Sequence, residues 1–272
     1  MDIRFTKMHG AGNDYIYVNT MLYPIADPAE ASRRWSQHHY SIGSDGLILI
    51  GQADREDADF SMRIFNNDGS EAMMCGNGAR CVARYLHDYH LTDRTDIRLQ
   101  TLAGIKVLHL NLDSNGEVRD VTVDMGRPTD MHPLTLNLTQ TEVRSIDGMF
   151  VSMGNPHFVV FMSDVEHFDI QRYGSALTRH EAFADGCNIE FVSQMPDGKL
   201  RMRVWERGSG ITLACGTGAC ATAVAASLTG HAGRESDIVM DGGTLHIHWS
   251  EEDDHIYMTG PAEIAYEGVI RL

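Results

Sequence analysis

The chain of 272 residues contains one short motif twice, 140 positions apart. Cys75–Ala79 reads Cys-Gly-Asn-Gly-Ala and Cys215–Ala219 reads Cys-Gly-Thr-Gly-Ala, so the two copies differ at a single position. Three further matches precede the motif in the same order in both halves, at offsets of 142 or 140. They pair Gly12–Tyr15 with Gly154–His157, Asp45-Gly46 with Asp185-Gly186, and Arg63–Asn66 with Arg203–Glu206. Self-similarity of this kind predicts two homologous halves rather than two unrelated glycine-rich turns.

The repeat sets the expected domain organisation. We expect a first lobe of residues 1–118, to which residues 261–272 return, and a homologous second lobe of residues 119–260. Glu267–Leu272 is strand-like, which is why the tail is assigned to the first lobe. Asn111–Gly116 has the composition of a hairpin turn rather than of a linker, so continuous strands should join the lobes.

The hydrophobic pattern is mostly that of short strands bounded by turn residues. Asn77–His90 and Thr217–Thr229 are predicted helices, the second Ala-rich and closed by Gly230, a favoured residue just past a helix end. An Ala-rich helix surrounded by strands should be enclosed by sheet. The predicted class is therefore α+β, with two pseudo-symmetric barrel-like lobes, each mostly antiparallel sheet wrapped on a central helix. The predicted strands are Ile3–Met8, Tyr15–Asn19, Gly46–Ile50, Asp59–Asn66, Thr101–Asn111, Arg119–Met125, Gly148–Met153, Phe158–Met162, Cys187–Val192, Lys199–Glu206 and Thr244–Trp249.

Charge and cysteine content narrow the class of protein. The chain has 22 basic and 38 acidic residues, a net charge of −16, which disfavours nucleic acid and anionic membranes as partners. No apolar run approaches the roughly 18 residues of a membrane span, and Met1–Lys7 lacks the features of a secretory signal. Five cysteines without a CxxC pair indicate reduced thiols in the cytoplasm and disfavour a zinc ribbon or thioredoxin-type site.

The two repeated cysteines are the candidate chemical groups. Cys75 and Cys215 each precede the N-terminus of a predicted helix, where free N–H groups and the helix dipole stabilise anions. We expect a lowered thiol pKa at both positions. The glycines that follow let a ligand, such as a carboxylate, approach the backbone. Cys81, Cys187 and Cys220 lack this context and are predicted to be inert packing.

Duplication of the motif predicts a specific reaction. Two thiols on opposite sides of one carbon could remove a proton from one face and add a proton to the other, which inverts the stereocentre. The helix N-termini at Gly76-Asn77 and Gly216-Thr217 would stabilise the charge that develops on an adjacent carboxylate. No phosphate-loop, HExxH or Schiff-base lysine motif supports a cofactor or metal, so none is expected.

These residues resemble the diaminopimelate epimerase family, cofactor-independent two-cysteine isomerases of lysine and peptidoglycan precursor synthesis. The resemblance covers essentially the whole chain. It is carried by Lys7–Asp14, Gly43–Gly46, Arg63–Asn66, Asp68–Ser70, Cys75–Cys81, Ser152–His157, Glu206–Gly208 and Cys215–Ala219.

The resemblance implies a role for each matched position. Cys75 and Cys215 would be the acid/base thiols that interconvert LL- and meso-2,6-diaminopimelate, with His157 and Glu206 in supporting roles. Gly76, Asn77, Gly216 and Thr217 would hold the reacting carboxylate by backbone N–H groups. It also implies a homodimer with Tyr266 near the contact. The residues implied to bind the distal amino-acid end of the substrate are Asn13, Asn66, Asn155, Asn188, Glu206 and Arg207.

Two departures and two alternatives stand beside this reading. Gly46 replaces a side-chain donor found in some members, so contact there would come from backbone. Cys187 is outside the family signature and is expected to be a buried spacer. The alternative enzyme is a racemase or epimerase of another amino acid, such as hydroxyproline. The alternative class is a thiol redox or ligand-sensing protein in which Cys75 and Cys215 form a reversible disulfide.

Overall fold

A computed structural model describes residues 2–138 and 143–271. Met1 and Leu272, assigned above to the first lobe, and residues 139–142, assigned to the second, lie outside the described residues. Helices and strands follow in chain order: β1 Asp2–Gly10, β2 Asn13–Asn19, α1 Pro28–Trp35, β3 Gly46–Gln52, β4 Phe60–Asn66, β5 Glu71–Ala72, α2 Gly76–Asp88, β6 Asp96–Thr101, β7 Gly104–Leu112, β8 Val118–Gly126, β9 Thr129–Asn137, β10 Ser145–Ser152, β11 Pro156–Phe161, α3 Ile170–Leu177, β12 Asn188–Gln194, β13 Leu200–Glu206, β14 Gly210–Thr212, α4 Gly216–Thr229, β15 Glu235–Met240, β16 Gly243–Trp249, β17 Ile256–Gly260 and β18 Glu263–Arg271.

The chain divides into two compact units, Met1–Asp124 with Thr259–Leu272, and Met125–Met258. The first unit pairs β1 antiparallel with β2 and β18, β2 parallel with β3, β3 antiparallel with β4, and β4 parallel with β6. The antiparallel pairs β6–β7 and β7–β8 complete it. Helix α2 packs against β1, β2 and β7. A core that includes Ile16, Leu47 and Trp35 lies beneath α1.

The second unit repeats this strand topology within itself. Strand β10 pairs antiparallel with β9 and β11, β11 parallel with β12, β12 antiparallel with β13, and β13 parallel with β15. The registers repeat as well, since Leu47 lies opposite Phe65 in the first unit and Ile189 lies opposite Trp205 in the second. The predicted α+β class, with mostly antiparallel sheet and a central helix in each unit, is confirmed.

The second central helix is enclosed by sheet along its middle. Residues 218–226 of α4 are all buried, against strands that include β10, β11, β12, β15 and β16. The small side chains of these residues let the strands approach closely. Because the residues are buried on every face of the helix, the sequence lacks an amphipathic stripe. Gly230 ends α4 with φ 77°, as predicted from its position.

Several elements differ from the sequence prediction. The single strand predicted over Thr101–Asn111 is wrong, because a turn after Thr101 separates β6 from β7. Helices α1 and α3 were not predicted; each has only eight residues. An Asp side chain caps both of them: Asp27 accepts from the Glu30 N–H, and Asp169 accepts from the Arg172 N–H.

Candidate active site

Cys75 lies at the start of α2 and caps that helix with its own side chain. The Gly78 N–H donates to Cys75 Sγ at 3.4 Å, and the Cys75 thiol donates to Asn13 Oδ1 at 3.4 Å. Asn13 is held in turn, because its Nδ2 donates to Asp45 Oδ2 at 2.7 Å. An N–H directed at a sulfur favours negative charge there. The structure therefore places Cys75 in a fixed geometry, with one amide oriented by a carboxylate beside it.

Cys215 occupies the corresponding position at the start of α4 but makes different contacts. Its Sγ lies 3.7 Å from Thr217 Oγ1, to which Asn155 Nδ2 donates at 3.3 Å. Asn155 Oδ1 lies 3.2 Å from His157 Nε2. The His157 Nδ1 lies 2.7 Å from Glu190 Oε1. A continuous chain of polar contacts therefore runs from Cys215 to a buried carboxylate.

Burial and two carboxylates raise the pKa of Cys215 well above its ordinary value. Desolvation is the largest cause, followed by the negative charges of Glu206 and Glu190. The expectation of a lowered thiol pKa is thus wrong for Cys215. Its helix N-terminus does favour the thiolate, but desolvation and the buried carboxylates beside the thiol together outweigh that effect.

Glu206 is the second carboxylate beside Cys215. Glu206 ends β13 and accepts a hydrogen bond from Oγ1 of Thr212, which ends β14. Desolvation is the largest cause of a raised pKa at Glu206, and the charge of Glu190 acts in the same direction. Hydrogen bonds from Thr212 and Cys215 act in the opposite direction. One cluster of polar groups therefore contains Cys215, Glu206 and His157.

The two cysteines have equivalent backbone positions and unlike neighbours. At offsets of 142, 142 and 140, Tyr15 corresponds to His157, Ile48 to Glu190, and Asn66 to Glu206. A Cβ at Gly78 would lie 2.6 Å from Ile48 Cδ1 and 3.7 Å from Cys75 Sγ, whereas a Cβ at Gly218 would lie 2.7 Å from Glu190 Oε1 and 3.2 Å from Cys215 Sγ. The first unit thus has a tyrosine, an isoleucine and an asparagine where the second unit has a histidine and two glutamates.

The predicted backbone donors begin the same two helices. Gly76 and Asn77 are buried at the start of α2, and Gly216 and Thr217 are half-buried at the start of α4. The first N–H groups of an α-helix have no intrahelical acceptor and attract anions. These are the N–H groups for which the sequence predicts carboxylate binding.

The residues predicted for the distal end of the substrate lie at strand ends and in the adjoining turns of both units. Asn66 ends β4 and donates from Nδ2 to Ser70 Oγ at 3.0 Å. In the second unit, buried Asn188 accepts the Arg207 N–H at 2.8 Å. The Arg207 side chain is exposed and donates from Nη1 to the Asp185 carbonyl at 2.8 Å. Asn188 therefore shapes the turn that presents Arg207.

Two acidic side chains of the site were missed as site residues by the sequence analysis. Glu190 is fully buried in β12, and Asp45 precedes β3 beside Asn13. Burial is the largest cause of a raised pKa at Asp45. The available signal was a lone carboxylate in the apolar stretch Cys187–Val192, since Glu is almost never fully buried unless paired.

The expected inert cysteines and the departure at Gly46 have physical explanations. Cys81, Cys187 and Cys220 are completely buried. Burial raises the pKa of Cys81 to about 11 and also raises the pKa of Cys187. A Cβ at Gly46 would lie 2.2 Å from the Phe65 carbonyl oxygen, so this backbone leaves no room for a side chain there.

Within residues 2–138 and 143–271, no cluster of three or more His, Cys, Asp or Glu side chains could hold a metal ion. In the same ranges, every helix is too short or too polar to cross a bilayer.

Comparison with known proteins gives concordant matches over nearly the whole chain. The family model described as diaminopimelate epimerase matches residues 5–131 and 149–265. A curated diaminopimelate epimerase from Phocaeicola vulgatus is 54% identical over 279 residues, covering 99% of both chains.

Solved structures share the fold at much lower sequence identity. A hydroxyproline epimerase from Agrobacterium vitis, solved with bound trans-4-hydroxy-L-proline, has a TM-score of 0.71 at 16% identity and covers 100% of this chain and 93% of its own. A phenazine biosynthesis protein of the PhzF family from Bacillus anthracis has a TM-score of 0.76 at 15% identity, with 100% of both chains covered. These likenesses establish the fold, while the family match and the high identity establish that the chain belongs to the diaminopimelate epimerase family.

Proposed function

We propose that this protein interconverts LL- and meso-2,6-diaminopimelate by cofactor-independent proton transfer, a step of lysine and peptidoglycan precursor synthesis. The observation that carries the proposal is the pair of cysteines, each at the start of a helix and each surrounded by different neighbours. Membership of the family supports the substrate, because the relative from Phocaeicola vulgatus carries that name.

The reaction needs one thiolate and one thiol at the same time. The thiolate removes the α-proton and becomes a thiol, and the opposite thiol donates its proton to the other face of the carbon and becomes a thiolate. The raised pKa of Cys215 favours the thiol there in the resting enzyme. In the direction that uses Cys215 as the proton donor, Cys75 acts as the base, and the Gly78 N–H is directed at its sulfur. The roles reverse with the direction of reaction.

An amino-acid α-proton is very weakly acidic, so the site must stabilise the carbanion's charge. In the intermediate that charge spreads onto the adjacent carboxylate. The N–H groups of Gly76, Asn77, Gly216 and Thr217 are fixed before substrate arrives, and such preorganised donors cost no reorganisation during the reaction. They supply the stabilisation that a cofactor supplies in other racemases.

The distal amino-acid group of the substrate is an ammonium with a carboxylate. Asparagine side chains offer both donors and acceptors, and an arginine binds a carboxylate through paired hydrogen bonds. We assign this recognition to Asn13, Asn66, Asn155, Asn188, Glu206 and Arg207. A substrate with a single amino-acid head would leave these polar groups unpaired, which disfavours proline-like substrates.

The test is proton exchange in deuterated water. The purified, reduced protein is incubated with LL-diaminopimelate, and NMR follows both the α-proton signal and the appearance of the meso isomer. We expect deuterium at the inverted carbon together with the meso product. Absence of both label and product, with the thiols shown to be reduced, would reject the proposal. Hydroxyproline and proline in parallel reactions test the alternative substrates, and turnover without a ligand-gated partner disfavours a sensing role.

We further propose a homodimer in the cytoplasm. The exposed apolar side chains of the first unit include Leu22, Tyr266 and Val269. The Tyr266 ring packs edge-on against Phe5 with 6.1 Å between centroids, which holds it in place for a partner copy. Five free cysteines suit a reducing compartment. Light scattering on the wild type and Tyr266→Ala tests the dimer, and cell fractionation tests the location.

A further inference from the structure

We propose that Glu190 is a positioning residue of the reaction: its buried carboxylate holds His157 by a hydrogen bond and, lying close to Cys215, disfavours the thiolate there. The inference rests on the proposed function and adds to it a residue that neither the motif pattern nor the repeat assigns.

The contact between Glu190 and His157 is completely buried. Both side chains are fully shielded from solvent, and Glu190 Oε1 lies 2.7 Å from His157 Nδ1. Neighbouring parallel strands supply the two residues, since β11 pairs with β12 so that His157 lies opposite Asn188. Burying a carboxylate is costly unless it is paired. A glutamate buried at this position therefore requires a partner, and the imidazole of His157 is that partner.

The His157 ring is held at both of its nitrogens. Nε2 lies 3.2 Å from Asn155 Oδ1, and Asn155 Nδ2 donates to Thr217 Oγ1. Nδ1 and Glu190 Oε1 must share a hydrogen, because two bare acceptors at 2.7 Å would repel. That hydrogen bond fixes the orientation of the imidazole relative to Glu190.

The geometry connects this pair to the thiol. Glu190 Oε1 and Cys215 Sγ lie within 2.7 and 3.2 Å, respectively, of the point that a Gly218 Cβ would occupy. Glu190 Oε2 is buried and has no hydrogen-bond partner within residues 2–138 and 143–271. An unpaired buried oxygen is destabilising, so its retention beside a reactive sulfur favours a functional role over a structural one.

The first unit provides an internal comparison. Ile48 and Tyr15 take the places of Glu190 and His157, with the same parallel pairing of strands β2 and β3. The same backbone therefore packs well with an apolar residue at this position. The fold does not require a carboxylate there, which leaves the chemistry of Cys215 as its reason.

The titratable groups that face Cys215 are Glu190 on β12, His157 on β11 and Glu206 at the end of β13. The experiment labels cysteine with ¹³C at Cβ and follows each resonance against pH in the intact protein. In Glu190→Gln we expect the Cys215 midpoint to fall by about 1 pH unit or more, while the Cys75 midpoint stays unchanged. Glu190→Asp should retain most of the wild-type midpoint, and Ile48→Val is the matched control for a change at the equivalent position.

Kinetics and histidine NMR complete the test. Glu190→Gln should lower kcat for epimerisation with little effect on KM, and Glu190→Asp should recover part of that loss. In the wild type, ¹⁵N-histidine spectra should show a hydrogen on Nδ1 of His157, a readout available even if the Gln variant does not fold. An unchanged Cys215 midpoint, equal shifts at both thiols, or a bare Nδ1 in the wild type would overturn the proposal. A wild type that fails to interconvert the diaminopimelate isomers would overturn the proposed function instead, since the thiol and histidine titrations do not depend on substrate.

Discussion

Ile48 and Glu190 lie behind the two helix-initiating cysteines at equivalent positions of the repeat, 142 residues apart. One contributes a methyl group and the other a buried carboxylate. The two copies of the repeat thus share backbone geometry and differ in electrostatics, since the charge of Glu190 contributes to the raised pKa of Cys215. A two-base reaction benefits from this difference, because one thiol should hold its proton while the other gives its proton up.

Replacing either repeated cysteine should abolish inversion. Cys75→Ala and Cys215→Ala each remove one of the two proton-transfer groups, so epimerisation should fall by at least about 10²-fold. Elimination from a halogenated substrate analogue needs only the base and should persist in one of the variants. Proton exchange in deuterated water measures the first effect. Cys81→Ala and Cys220→Ala, within the same two helices, are the controls and should retain activity.

Adding a methyl group beside each thiol should affect the two sites unequally. Gly218→Ala places a Cβ 2.7 Å from the Glu190 carboxylate, which His157 holds in place. Gly78→Ala places a Cβ 2.6 Å from the terminal methyl of Ile48, which can rotate away. We expect about a 10²-fold loss of kcat in Gly218→Ala, as for a catalytic group displaced by about 1 Å, and less than a tenfold loss in Gly78→Ala. Equal losses would contradict this interpretation.

Gly46 should be intolerant of any side chain for steric reasons. The Cβ of an alanine would lie 2.2 Å from the Phe65 carbonyl oxygen, a backbone atom that cannot rotate away. Gly46→Ala should lower the free energy of unfolding by about 1–3 kcal/mol or more. Gly233→Ala has no heavy atom within 4 Å of its added Cβ and should stay within about 0.5 kcal/mol of the wild type. Urea denaturation of both variants checks the difference.

Stability should fall in alkaline solution because buried thiols must ionise on unfolding. Burial raises the pKa of Cys81 from 9.0 to about 11, so above pH 9 the unfolded chain binds fewer protons than the folded one. The free energy of unfolding therefore decreases as pH rises from 9 to 11. Cys81→Ala should reduce that decrease by about 2–3 kcal/mol, measured by denaturation at several pH values. The same pH dependence in both proteins would assign the effect to other groups.

The repeat was the most informative feature of the sequence for the fold. Turn residues and apolar runs located most strands, and Gly230 marked the end of α4 correctly. Helices α1 and α3 were missed because eight residues carry little periodicity and their caps, Asp27 and Asp169, resemble turn residues. Strand β6 was missed, and the strand predicted over Thr101–Asn111 began three residues before β7 because apolar residues continue through the intervening turn.

The candidate site was predicted less completely than the fold. The resemblance placed His157 and Glu206 near the thiols, and the packing of strands shows the contacts that connect them with Cys215. Glu190 was missed because a strand pattern does not show which partner allows a carboxylate to be buried. The sign of the Cys215 pKa shift was wrong for the same reason: a helix N-terminus is visible in sequence, whereas the burial of nearby charges depends on tertiary structure.

The pairing of β1 with β18 has a consequence for biosynthesis. Asp2 lies opposite Arg271, so a strand made among the first residues is completed by one translated after the whole second unit. On the ribosome, Met125–Met258 can therefore assemble while the earlier unit still lacks its closing strand. The half that is synthesised later is expected to finish folding first, and the emerging chain must keep the edge of β1 from pairing with other strands until then.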